Sequence, residues 1–122
     1  MMAGRLVEAV DAAHRGLALA RRQHQRGYEA MTLRLLGEIA MHGRRPDAVG
    51  AEAFYRQALA LAEDLGMRPL AARCYLGLGR LYQQVDRRSA AREHLATSRA
   101  MLAEMGMRLW LEQAEEALRA LA

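Results

Sequence analysis

Residues 75–98 read YLGLGRLYQQVDRRSAAREHLATS, and this stretch decides the fold. Tyr75, Leu78 and Tyr82 recur at the three- and four-residue spacing of one helical face, with Gly79 set among them. Ala91, Leu95 and Ser98 follow at the same spacing on a second helix, after a polar interval around Asp86. A glycine beside large apolar residues on one helix, and small residues spaced along the next, suits two helices that cross closely.

The second helix has two counterparts elsewhere in the chain. Residues 9–23 (AVDAAHRGLALARRQ), 51–65 (AEAFYRQALALAEDL) and 91–105 (AREHLATSRAMLAEM) align at offsets of 42 and 40. Matched positions are Ala9/Ala51/Ala91, Ala13/Tyr55/Leu95, Gly16/Ala58/Ser98, Ala20/Ala62/Leu102 and Gln23/Leu65/Met105, all on one helical face. The first helix repeats at the same offsets from starts near Tyr28, Leu70 and Trp110. There Leu36/Leu78/Leu118 and Ile39/Leu81/Leu121 match, with Gly37/Gly79/Arg119 beside them. Gly66-Met67-Arg68 recurs as Gly106-Met107-Arg108, a glycine closing one helix before the next opens. Pro69 falls in a first helical turn, and Pro46-Asp47 and Asp86 supply candidate N-caps for the third and fifth helices. These marks predict six helices, about 5–25, 27–42, 48–65, 67–84, 87–105 and 107–121, in a single domain spanning 1–122. Short loops make neighbours antiparallel. The longer connection at 43–47, within His42-Gly43-Arg44-Arg45-Pro46, reads as a surface turn or hinge.

Composition agrees. Ala, Leu, Arg and Glu supply 72 of 122 residues, well above the share that signals helical repeats. With two Pro and no Asn, a β-sandwich or parallel-sheet enzyme is not expected, and one cysteine excludes a disulfide scaffold. At 52% hydrophobic the chain is not disordered, yet no apolar run nears the ~18–20 residues of a membrane helix. No signal peptide is expected, and the lone thiol suits a reducing compartment, so the protein is predicted to be cytoplasmic. All 18 basic residues are arginine and the net charge is +4, but they are spread along the chain and interleaved with Glu. That is the pattern of a solvated surface, and nucleic acid is not the expected partner.

The pattern Tyr75-x-x-Leu78-Gly79-x-x-Tyr82, then Ala91-x-x-x-Leu95-x-x-Ser98, resembles the tetratricopeptide repeat. Leu33-x-x-Leu36-Gly37-x-x-Ala40, then Ala51-x-x-x-Tyr55-x-x-Ala58, repeats it with a two-residue insertion. The period of about 40 exceeds the family's 34, and Leu65-Gly66 and Met105-Gly106 stand where the family has a proline. Longer repeats of this kind resemble the helical tails of large bacterial signalling proteins with ATPase, nucleotide-cyclase or transcription-activator domains. The resemblance implies an all-α, right-handed superhelical stack of antiparallel helix pairs.

It also implies a concave groove lined by the first helix of each pair. By matched position the groove would carry Met31, Arg34, Leu35, Glu38 and His42, then Arg73, Gly77, Arg80 and Gln84, then Gln113 with Ala117 and Ala120. Arg73 and Arg80 could grip a carboxylate, unless Glu38 opposite Arg80 neutralises it. The family's chaperone-tail clamp uses Lys and Asn where this chain has Arg34, Leu35, Glu38, Leu76, Gly77 and Arg80, so a chaperone adaptor is not implied.

The two ends read differently. The last helix has Glu115 and Arg119 where earlier copies have Leu33/Tyr75 and Gly37/Gly79, which suits a cap exposing Glu112, Glu116 and Arg119. The first helix matches the second member of a pair, which leaves Leu6, Val10, Ala13 and Leu17 as an open apolar face. Either the chain belongs to a longer protein, or this face pairs with another copy, or the helix is shortened and adequately covered.

No catalytic set assembles. His14, His24, His42 and His94 lack the i, i+4 spacing of a helical zinc site and read as exposed or groove-side. Cys74 has no second sulfur and apolar neighbours, so it reads as a buried structural thiol. Ser98 occupies a packing position beside His94, and Met31, Met67, Met101, Met105 and Met107 read as packing filler. The expectation is a protein-interaction module that binds a peptide, a helix or a partner domain, with no enzymatic activity, metal or cofactor. The alternatives are a self-associating structural element and an Arg-rich nucleic-acid or anion binder.

Overall fold

The computed structural model describes residues 2–43 and 45–122, with side chains from residue 5 onward; Arg44 of the longer loop lies outside the described residues. Six helices form: α1 (Met2–Arg22), α2 (Arg26–His42), α3 (Ala48–Leu65), α4 (Arg68–Gln84), α5 (Arg88–Met105) and α6 (Arg108–Leu121), with no strand among the described residues. Consecutive helices pack on one another, most extensively α2 on α3 and α4 on α5. α2 also touches α4 and α4 touches α6, whereas among the described residues the backbones of α1 and α3, and of α3 and α5, stay farther apart, α1 meeting α3 only through side chains such as the His14 ring edge-on to Phe54, centroids 6.2 Å apart. The even-numbered helices therefore form the more closely spaced layer.

The turns follow one design. At the ends of α1, α3, α4 and α5 a residue takes the left-handed conformation: His24 (φ 55°), Gly66 (φ 70°), Asp86 (φ 64°) and Gly106 (φ 68°). The next backbone N–H then donates back five residues: Gln25 to Ala20, Met67 to Ala62, Arg87 to Tyr82, and Met107 to Leu102, at 2.8–3.0 Å. Glycine fits this geometry without a Cβ penalty, and Asp and His are among the side chains that tolerate it. Asp86 was expected to cap α5; instead it closes α4, and Arg87 occupies the N-cap position. Asp47 does cap α3, its Oδ1 accepting from the Gly50 N–H at 2.9 Å. Pro69 sits in the first turn of α4.

The helix pairs are held by close crossings. A Cβ on Gly79 would lie 2.5 Å from Leu95 Cγ and 3.2 Å from the Leu95 backbone nitrogen. One on Gly77 would lie 2.5 Å from the Tyr55 ring, and one on Gly37 would lie 3.1 Å from the same ring. Tyr55 is thus wedged between α2 and α4 under two glycines. Ser98, fully buried, donates its hydroxyl to the Ala72 carbonyl at 2.8 Å and so satisfies a polar group that the crossing encloses. His94 is neither exposed nor in the groove; it packs edge-on against Tyr82, ring centroids 5.0 Å apart. The repeat extends to ion pairs. Arg26–Asp64 and Arg68–Glu104 occupy matched positions, at 2.6 and 2.9 Å, and tie the start of α2 to the end of α3 and the start of α4 to the end of α5.

α1 is covered differently from expectation. Ala13 and Leu17 are buried in one core cluster with Ala30, Leu33 and Leu36 of α2, while Leu6 and Val10 are half-buried. The face drawn through these four residues is therefore largely taken up inside the chain. Among the α1 residues left exposed, Ala9, Ala12, Gly16 and Leu19 form one turn-by-turn stripe.

Gly79→Leu should lower stability by about 1–3 kcal/mol, because Leu95 and its backbone cannot retreat together. Gly16→Ala should raise it by about 0.5–1 kcal/mol, since nothing lies within 4 Å of the added methyl. Urea unfolding of both variants checks the pair.

Candidate functional site

Residues 73, 77, 80 and 84 of α4 share a face because their spacings are 4, 3 and 4. The same periodicity on α2 aligns 31, 35, 38 and 42, and on α6 it aligns 110, 113, 117 and 120. α4 lies between α2 and α6 and touches both, so these stripes run side by side.

A recess of about 60 Å³ opens on this face. Of the residues that sequence reasoning put in the groove, it brings together Arg34, Glu38, His42, Arg73, Gly77, Arg80 and Gln84. Gln113 stands at its edge, accepting a hydrogen bond from Arg80 Nη2 at 2.9 Å. Met31 and Leu35 lie outside it and are exposed by 50% and 43%, so Met31 is not packing filler. Tyr28, one turn earlier on α2, is 65% exposed and extends this apolar strip.

The charges pair differently from expectation. Glu38 does not neutralise Arg80. It accepts from Arg34 Nη1 at 2.7 Å, four residues away on its own helix, where both side chains meet without crossing the groove. Burial pushes the Glu38 carboxyl upward, but the hydrogen bond and charge of Arg34, with His42 and Arg73, hold it below the ordinary carboxylate value. Arg73 and Arg80 have no acidic partner among the described residues.

Two residues that shape the site escaped sequence reasoning. Trp110 of α6 covers one face of the Arg73 guanidinium, whose carbon lies 4.1 Å from the ring centroid. Its position was available as a signal, since it extends the Gln113–Ala117–Ala120 stripe by one turn. Tyr55 of α3 forms part of the recess lining because Gly77 has no side chain to hide it. Burial, and then the Glu38 charge, raise its hydroxyl to about 12, which keeps it a neutral donor. Cys74, next to Arg73 on α4, is fully buried and its thiol is pushed up to about 12 by burial, so the thiolate a nucleophile needs is suppressed. Among the described residues no three His, Cys, Asp or Glu side chains converge as metal ligands. Among the described residues no helix is long and apolar enough to cross a membrane.

Comparison of the sequence with protein-family models and with curated proteins gave no match in either. The chemistry of the face formed by α2, α4 and α6 therefore carries the functional reading.

Proposed function

We propose that the chain is a protein-interaction module of the tetratricopeptide-like kind, a superhelical stack that receives a peptide, a helix or a partner domain along α2, α4 and α6. The observation that supports it is the state of the groove arginines. Arg34 has its counter-ion in Glu38, whereas Arg73 and Arg80 are oriented by an aromatic ring and a neutral amide, beside the exposed strip Tyr28, Met31 and Leu35. Cations held in place without acid partners, next to apolar surface, are what a recognition groove presents. The reading is of a cytoplasmic protein, which the unpaired Cys74 suits. Peptides selected against the wild-type protein from a displayed random library should bind with micromolar affinity. They should perturb backbone amide resonances of α2, α4 and α6, and lose at least tenfold in affinity on Arg73→Glu or Arg80→Glu. Selected peptides that map to other helices, or that bind both variants unchanged, would remove the groove from the account.

Self-association is the second reading, and a specific observation favours it. Ala9, Ala12, Gly16 and Leu19 are exposed on α1, yet their matched positions Ala51, Ala58, Ala91 and Ser98 are fully buried, and Phe54, Leu61, His94 and Met101 half-buried, under α2 and α4. A second copy seated on this stripe would give α1 the cover its counterparts have. Light scattering over a wide concentration range should then show a dimer that Gly16→Glu dissociates. A wild-type mass equal to one chain throughout would sink this reading.

A further inference from the structure

Arg73 stands apart among the polar side chains of the recess. Its Nε is buried and has no hydrogen-bond acceptor, the one such side-chain nitrogen or oxygen among the described residues. Burial depresses its pKa, the nearby Arg34 cation adds to this, and Glu38 offsets only part. Trp110 fixes the guanidinium plane but brings no formal counter-charge. Arg80, seven residues on and on the same face, is steadied by Gln113, also uncharged. The recess lining contains one carboxylate, Glu38, and it is engaged with Arg34 at 2.7 Å. A cation that is half-buried, with its Nε shielded and no counter-ion, carries a free-energy cost that an anion arriving at its open side relieves.

We infer that this recess is a carboxylate seat, in which Arg73, assisted by Arg80, receives an Asp or Glu side chain of a partner peptide whose neighbouring residues are apolar. This rests on the groove reading above. Three observations select the occupant. The recess is small, about 60 Å³, and a planar carboxylate matches the guanidinium fork. A dianionic phosphate would meet the Glu38 carboxylate on the same lining. The acid belongs to a side chain and not to a chain end, because the α4 stripe runs on from Arg73 to Gln84, about 16 Å at the helical rise, so a bound chain has surface to continue over. Met31 and Leu35 flank this level of the groove on α2, which makes apolar residues the favoured neighbours of the acid.

The test uses N-acetylated, C-amidated nonapeptide pools without Trp or Tyr. They have apolar-randomised flanks and Glu, Gln or phosphoserine at the centre. Binding is read from the emission of Trp110, the sole tryptophan, which stacks on Arg73. The Glu pool is expected to bind at least tenfold more tightly than the Gln pool and more tightly than the phosphoserine pool. Arg73→Gln should abolish the Glu preference, so that the Glu and Gln pools bind this variant alike. Arg73→Lys, which keeps the charge and loses the fork, should retain only a small part of it. Should Arg73→Gln fail to fold by circular dichroism, Arg80→Gln, at an exposed position, should still cut the preference severalfold. Equal affinity for Glu and Gln pools would overturn the seat while leaving the groove standing. A tighter phosphoserine pool would overturn the carboxylate assignment. Binding by none of the pools would overturn the groove reading and the seat with it.

Discussion

The close crossing of α4 over its two neighbours is the constraint on which the rest of the structure depends. Gly77 rests on the Tyr55 ring of α3, and Gly79 rests on Leu95 of α5. Two glycines two residues apart face opposite neighbours, so α4 is pressed from both sides at one level. Tyr55 fills the gap and also meets Gly37 of α2, which couples three helices through a single ring. Such contacts hold position because a protein interior has little room to yield. The same packing sets the site: bringing α4 this close to α3 lowers the groove floor at Gly77 and leaves Arg73 and Arg80 standing on either side of it.

Much of this was legible in the sequence because the repeat is internal. Offsets of 42 and 40 located all six helices, and the glycines at 66 and 106 marked their ends. What the offsets could not supply was the residue choice inside a shared geometry. His24 and Asp86 take the same left-handed turn as the two glycines, but only a backbone angle shows this, and Asp86 reads as readily as a helix cap. The open face of α1 was misdrawn for a related reason. A helical face about 100° wide borders the next, and Ala13 and Leu17 fell on the α2 side of that border, while Ala9, Ala12 and Gly16 fell outside it.

The groove illustrates the limit of matched positions. They gathered seven of the recess residues from α2 and α4, since helical spacing settles which side chains share a face. They could not settle how the charges pair. Glu38 has Arg34 one turn away on its own helix and Arg80 across the groove, and the local partner wins because it needs no reach between elements. That choice leaves two cations without acids. The Trp110 stack follows from α6 lying against α4: helical spacing puts Trp110 on the groove stripe of α6, but only the tertiary contact puts its ring over Arg73.

The groove turns on Arg73, held under Trp110 with its Nε shielded and no acceptor among the described residues. The most direct measurement is a proton–nitrogen correlation spectrum of the arginine Nε–H groups in ¹⁵N-labelled protein, with exchange rates, assigned by Arg73→Lys. One Nε–H, lost in that variant, should be displaced by the Trp110 ring current and exchange far more slowly than those of the exposed arginines. An Arg73 resonance that lies and exchanges among the exposed arginines would contradict that placement.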